Sequence, residues 1–312
     1  MRPPLLLVTA RRRAPDRLEN SLRDDGHDGV DDPSIKALVA AAGPGPLLLG
    51  GGEPTLRADL PALLRALRAA GAAPTLDTDG LALSAPAALA ALRGAGLAGL
   101  RLRLHSLEPA AHDYLEGMPG AQRRAVIALA RALDDQLPVE VLTPISRPGA
   151  PLLLAMARGL APRGARAAAP RWTLRWPVLA DPDLAHAVAI QPRPALVEDY
   201  LLAAVHEAVS LGLRVQIEGL PACVAPGLDP ALRVAAPALR DPGGLARARA
   251  PAARCAGCAA GAQAGCPGFS AAWVQRFGDA ELRSERPGPR AAPPPPLPTA
   301  SGPPPAPPPR AG

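Results

Sequence analysis

Short apolar runs alternate with alanine- and leucine-rich stretches of helical period along most of this 312-residue chain. That alternation is the signature of a parallel sheet joined by crossover helices. The strand candidates are Leu5–Val8, Leu47–Gly50, Thr75–Thr78, Gly99–Leu104, Val139–Thr143, Trp172–Val178 and Arg214–Glu218. Asp32-Pro33 reads as a cap followed by proline at a first helical position, and Ser84 with Pro86 reads similarly. A helix over about 59–70 carries Leu60, Leu63, Leu64 and Leu67 on one face and stops at Gly71. Later helices are expected near 121–135, 150–160 and 194–211. Six or seven strand–helix units suit a partial or open α/β barrel better than a doubly wound sheet, although spacing alone does not separate the two.

Aromatic residues make up only 2% of the chain, so its core has to be built from alanine, leucine and valine. The formal charge is +6, and Lys36 is the only lysine, so the surplus is arginine. This arginine is spread with Ala, Pro and Gly over the whole length and is not interleaved with aromatic stacking platforms. Nucleic acid is therefore not the expected partner. No run approaches the ~18 apolar residues of a membrane span, and the run before Arg11-Arg12-Arg13 is short for a signal peptide. A cytoplasmic address is expected. From about 285 the chain is Pro, Ala, Gly and Arg, which reads as a disordered tail. The expected organisation is a barrel over 1–220, an extension over 221–284 and the tail over 285–312.

All four cysteines lie in the last third of the chain. Cys255, Cys258 and Cys266 form a Cys-x2-Cys-x7-Cys run, and Cys223 stands upstream on an expected turn. Four thiols including one Cys-x2-Cys pair are what a tetrathiolate site needs, and zinc and iron–sulfur fit that spacing equally. His105, with His112-Asp113 just after it, could act as a histidine–carboxylate pair. The structural alternative has Ser106 capping and Pro109 opening a short helix that ends at Gly117. His27, among Asp24, Asp25, Asp28, Asp31 and Asp32, reads as part of an acidic solvated loop, since the spacing fits no EF-hand.

Several landmarks then fall in order. They are Gly51-Gly52-Glu53-Pro54-Thr55-Leu56, Asp77-Thr78-Asp79-Gly80, Leu104-His105-Ser106 with His112-Asp113, Gly117-Met118-Pro119-Gly120-Ala121, and the cysteine-bearing segment. Over roughly residues 4–220 this series resembles the radical S-adenosylmethionine (radical SAM) family. The resemblance implies a partial (β/α) barrel of the radical SAM type with a small cysteine-bearing extension. It implies that the glycine turn meets the amino group of S-adenosylmethionine, which makes Gly51, Gly52, Glu53 and Pro54 the cofactor-binding candidates. The other reading of this turn is a tight bend in which Glu53 caps the next helix or bonds a neighbour. The resemblance further implies an auxiliary 4Fe–4S cluster, or zinc, on Cys223, Cys255, Cys258 and Cys266.

One family element is missing. The radical-generating cluster is held by a Cys-x3-Cys-x2-Cys loop after the first strand, and no cysteine precedes Cys223. If Thr9 ends that strand, the three positions fall near Arg12, Asp16 and Glu19. Guanidinium does not ligate iron, and carboxylates suit harder cations than a sulfide cluster. Arg103 and Asp79 also depart from the family's pattern near the cosubstrate. The expectation is a degenerate radical SAM-fold protein with an accessory role, docking a peptide or a partner enzyme at the barrel mouth. The alternative is a radical SAM maturase or oxidoreductase that uses S-adenosylmethionine and 4Fe–4S clusters.

Overall fold

A computed structural model describes residues 2–11, 31–162, 169–179, 186–240, 242 and 266–282. All seven expected strands are present: β1 (Leu5–Thr9), β2 (Gly45–Gly51), β3 (Ala72–Thr78), β4 (Gly99–Arg103), β5 (Val139–Pro144), β6 (Arg171–Arg175) and β7 (Val215–Glu218). Each pairs in parallel with its sequence neighbour, as crossover connections require. The connecting helices include α1 (Ile35–Ala42), α2 (Leu60–Ala69), α3 (Pro86–Gly94), α4 (Pro109–Glu116), α5 (Ala121–Asp134), α6 (Leu153–Leu160), α7 (Ala187–Ile190) and α8 (Pro194–Ser210). The result is the curled, partial α/β barrel that the sequence leads one to expect.

Two short strands were not legible in the sequence. β8 (Arg233–Val234) adds to β7, and β9 (Leu239–Arg240) adds to β1. The sheet order is β8-β7-β6-β5-β4-β3-β2-β1-β9. Only residues 235–238 separate β8 from β9, so one extended run meets both edges of the curled sheet. Gly219 N donates to Val234 O at 3.1 Å on one side, and Leu5 N donates to Ala238 O at 2.9 Å on the other. This run strands neither edge in solvent, which is how barrels avoid unpaired backbone.

Alternation along each strand sorts the two faces. Leu6, Leu49, Leu76, Leu102, Val141 and Ile217 point outward into one large core shared with the helices. On α2, Leu60, Leu63, Leu64 and Leu67 are all buried, as their spacing predicts. The inner face carries a small apolar patch of Leu5, Leu7, Ala10 and Leu48, and elsewhere it is polar and charged.

Local start signals need correction. The cap of α1 is Ser34, whose Oγ accepts from Ala37 N at 3.2 Å, and not Asp32. Asp32 is drawn away by Thr9 Oγ1 at 2.6 Å and Arg11 Nε at 3.2 Å. Ser84 makes no cap for α3; its hydroxyl donates to Leu81 O at 2.8 Å. Ser106 receives Glu108 N at 2.9 Å in a turn before α4, whose cap position is Glu108. β6 stops at Arg175, three residues earlier than expected, because Pro177 has no N–H with which to continue the ladder.

Downstream, α9 (Ala271–Phe277) packs back onto the barrel. Four of the chain's seven aromatic residues meet there in a row: Trp176, Phe269, Trp273 and Phe277, with successive centroids 5.8, 4.5 and 5.1 Å apart. Ser270 Oγ donates to Leu179 O at 2.6 Å, and Arg193 pairs with Glu281. The 285–312 tail, and His27 with Asp24, Asp25 and Asp28, lie outside the described residues.

Candidate functional site

The glycine turn sits at the C-terminal end of β2, the side on which α/β barrels bind ligands. Gly51 has φ +112°, and a Cβ there would lie 2.1 Å from Thr9 O. At Gly52 a Cβ would lie 1.9 Å from Arg11 O. Gly52 N donates to Thr9 O at 2.8 Å, and Glu53 N donates to Arg11 O at 2.6 Å. The close approach that only glycine allows is thus taken up by the chain's own backbone after β1.

Glu53 is fully buried, and its carboxylate ties the turn after β2 to the end of β3. Oε1 accepts from Thr55 N at 3.1 Å, Thr55 Oγ1 at 2.5 Å and Thr78 Oγ1 at 2.7 Å, while Oε2 accepts from Asp79 N at 2.9 Å. Four donors offset the cost of burying the charge. Pro54 opens a single 3₁₀ turn that Glu53 caps. Of the two readings of this turn, Glu53's bonds match the one that caps and ties neighbours. Asp79 Oδ1 accepts Leu81 N at 2.8 Å, which fixes the bend after β3.

Sequence reasoning missed Arg57. Its buried guanidinium donates from Nη1 to Val8 O at 2.5 Å and Pro33 O at 3.1 Å. It also grips Asp59 through two 2.8 Å bonds, which hold that carboxyl below its ordinary range. Arg57 therefore locks the end of β1 to the entry of α1. The only sequence signal was an arginine directly after an apolar turn.

His105 and His112 lie with ring centroids 5.5 Å apart and planes tilted by 55°, both buried after β4. His112 Nδ1 accepts from His105 N at 3.2 Å, which leaves the ring proton on Nε2. Burial, with His105 beside it, pushes His112 down to about 4, so the ring is neutral at ordinary pH. The carboxylate near these rings is Glu116, 3.5 Å from His105 Nε2. Asp113 is not paired with histidine; it accepts Gly120 N at 2.6 Å and Gln122 N at 2.8 Å, capping the start of α5. Among the described residues, no group of three His, Cys, Asp or Glu side chains is placed to hold a metal.

The inner face of the sheet holds a charge network that no motif announced. Arg2 donates to Glu218 Oε2 at 2.8 Å and to Glu140 Oε1 at 3.1 Å. Arg101 bridges the same two acids, and Arg175 reaches Glu218 Oε1 at 3.0 Å. Burial alone would raise the Glu218 carboxyl, but Arg175, Arg101 and Arg2 together bring it down to about 2. Arg103 lies 3.8 Å from Asp77 Oδ1 on the neighbouring strand. The expected departure at Arg103 is thus part of a wall of guanidiniums across the inner face.

Of the four cysteines, Cys223 and Cys266 lie in the described residues, both half-buried, while Cys255 and Cys258 lie outside them. Ala222 N donates to Cys266 Sγ at 3.3 Å, so Cys266 lies against the turn after β7 that carries Cys223. The positions near Arg12, Asp16 and Glu19 also lie outside the described residues. Among the described residues, no helix is long and apolar enough to cross a membrane.

No family model matches the chain. It is 32% identical over 109 residues to an AdoMet-dependent heme synthase of Methanosarcina barkeri, a stretch covering 35% of this chain and 31% of that protein. It is 41% identical over 96 residues to a PqqA peptide cyclase of Ruegeria pomeroyi, covering 30% and 25%. The matched stretches thus span less than a third of the length of these curated relatives. Among solved structures, Streptococcus suis SuiB bound to S-adenosylmethionine superposes with a TM-score of 0.56 at 12% identity, over 72% of this chain and 52% of SuiB. Together with the parallel sheet, these likenesses give the chain the partial-barrel fold of the radical SAM enzymes and support a relationship to that superfamily.

Proposed function

We propose that this chain is a radical SAM-fold protein without its radical-generating centre. On this reading it keeps a four-cysteine iron–sulfur or zinc site in its 221–284 extension and serves as an accessory, peptide- or partner-binding component in the cytoplasm. The observation that carries the reading is the donor set where the family holds its cluster: Arg12, Asp16 and Glu19, with no thiol before Cys223. Those side chains do not fit an iron–sulfur cluster, so no radical step is assigned. The engagement of Gly51, Gly52 and Glu53 with the chain's own strand ends accords with it.

At the other end, the residues do fit a metal group. Cys266 lies against the turn that carries Cys223, and the Cys255–Cys258 pair would supply the two further thiolates. An iron–sulfur cluster there would carry single electrons; zinc would staple the extension. A peptide partner is suggested by the relative named for cyclising the PqqA peptide.

The test is iron, acid-labile sulfide and zinc per chain after anaerobic reconstitution, together with an assay for S-adenosylmethionine cleavage to deoxyadenosine. About four irons and four sulfides, lost in Cys255→Ser, with no deoxyadenosine, support the reading. One zinc and no iron leaves the extension stapled and the barrel without a centre. A second reading, a radical SAM maturase or oxidoreductase, is favoured by the relative whose name makes it AdoMet-dependent. About eight irons with deoxyadenosine formed would establish that one and sink the first.

A further inference from the structure

A cavity of about 550 Å³ opens among the N-terminal ends of the strands, at the opposite end of the barrel from the glycine turn. That volume is in the range of small-molecule sites. Pro237, from the run joining β8 to β9, forms part of its wall. Four guanidiniums line it, those of Arg2, Arg101, Arg171 and Arg214, against one carboxylate, Glu140.

The charges there are not evenly matched. Arg2 and Arg101 share Glu140 and Glu218, and Glu218 is also held by Arg175. Arg101 is 1% exposed, yet its Nη1 has no hydrogen-bond partner among the described residues; the nearest acid oxygen is Asp77 Oδ2 at 4.0 Å. Arg171 and Arg214 stand exposed at the rim and enter no ion pair among the described residues. A buried guanidinium with an unmet N–H is costly unless an anion meets it. The remaining wall is mostly apolar, with Leu48, Leu100, Leu137 and Val139, and adds Thr75 and Gln136. A convergent set of cationic donors on a mostly apolar wall is the composition of a site for an amphiphilic anion.

We propose that this cavity binds a small organic anion, a carboxylate or phosphate head on an apolar body, with Arg171 and Arg214 admitting the head and Arg2 and Arg101 meeting it inside. The site is separate from the glycine turn and the cysteines, and the proposal stands whatever becomes of the functional reading above. The test is calorimetric titration of the full chain with sodium octanoate, octyl phosphate, octanol and inorganic phosphate. Saturable one-to-one binding of octanoate or octyl phosphate is expected, the tighter of the two identifying the head group. Octanol and inorganic phosphate should each bind at least about tenfold more weakly. The double variant Arg171→Ala/Arg214→Ala, on exposed rim positions, should weaken the amphiphile by about tenfold or more with the thermal midpoint of the unliganded protein unchanged. The control Arg65→Ala/Arg123→Ala removes two exposed arginines on helices α2 and α5 and should leave binding intact. Absence of saturable binding by either amphiphile at about 10 mM overturns the proposal. So does binding that octanol matches, or that the rim and control variants weaken equally.

Discussion

The two ends of this barrel solve the problem of polar strand ends in opposite ways. At the C-terminal end, contacts are short-range and largely satisfied. The glycine turn clamps the backbone after β1, and Glu53 takes four donors from residues of β2's turn and the end of β3. At the N-terminal end, partners come from across the sheet. Arg2 precedes β1, Arg101 is on β4 and Glu140 on β5, with a cavity beside them, and their network runs along the inner face to Glu218, the last residue of β7. The glycine turn at one end is occupied by the chain's own backbone, while a charged cavity opens at the other. A fold alone does not say which mouth is used.

The sharpest way to break the comparison is at the glycine turn. Gly52→Ala places a methyl 1.9 Å from Arg11 O, where backbone and not a flexible side chain must yield. Loss of more than about 4 kcal/mol in urea unfolding is expected, or failure to fold. A change below about 1 kcal/mol would mean that the clamp on β1 is loose.

Next comes the charged end. Glu218→Ala strips three guanidiniums of a shared partner and should cost about 3–5 kcal/mol. Its carboxyl is lowered to about 2 from 4.5, so its stabilisation is complete above pH 4.5 and is lost as pH falls toward 2. The difference between wild type and variant should therefore shrink in acid below pH 4.5 and stay flat above it.

His112, beneath the satisfied end, titrates in a different window. Its folded value near 4 lies below the ordinary 6.5, so between these pH values the unfolded chain binds the extra proton. Stability should be full above pH 6.5 and decline by about 3 kcal/mol as pH falls to 4. Imidazole resonances of His112 titrating near 6.5 in the folded protein would refute this. The smallest effect should come from Thr78→Val, which removes one of Glu53's four donors and should cost about 1 kcal/mol. A loss equal to that of Glu53→Ala would show the four bonds to be a single cooperative unit, separable by a double-mutant cycle.

Much of the fold was legible because apolar period and parallel pairing coincide: Leu6, Leu49, Leu76 and Leu102 could be read as strand residues, and they do face the helices. β8 and β9 were not legible, since two residues carry no period and their pairing depends on β7 and β1 standing at the sheet's edges. The glycine turn was recognised, but its occupants, Thr9 O and Arg11 O, could not be named from spacing. Arg103 read as a departure at the cofactor end, and only the pairing of β3 with β4 places it beside Asp77. Asp113 could be read as a partner for histidine or as part of a structural turn, and its bonds to Gly120 and Gln122 at the start of α5 were not legible from spacing.

The sequence by itself determined the α/β class, the seven principal strands, the positions of the glycine turn and cysteines, and that no cysteine precedes Cys223. These follow from local period and from the chemistry of side chains, which do not depend on what stands nearby. The tertiary structure decided which polar groups meet: Glu53 with Thr78, Arg2 with Glu140 and Glu218, Cys266 with the turn at Ala222. Hydrogen bonds and buried charges act over a few ångströms, and curling a parallel sheet brings within that reach residues separated by 216 positions.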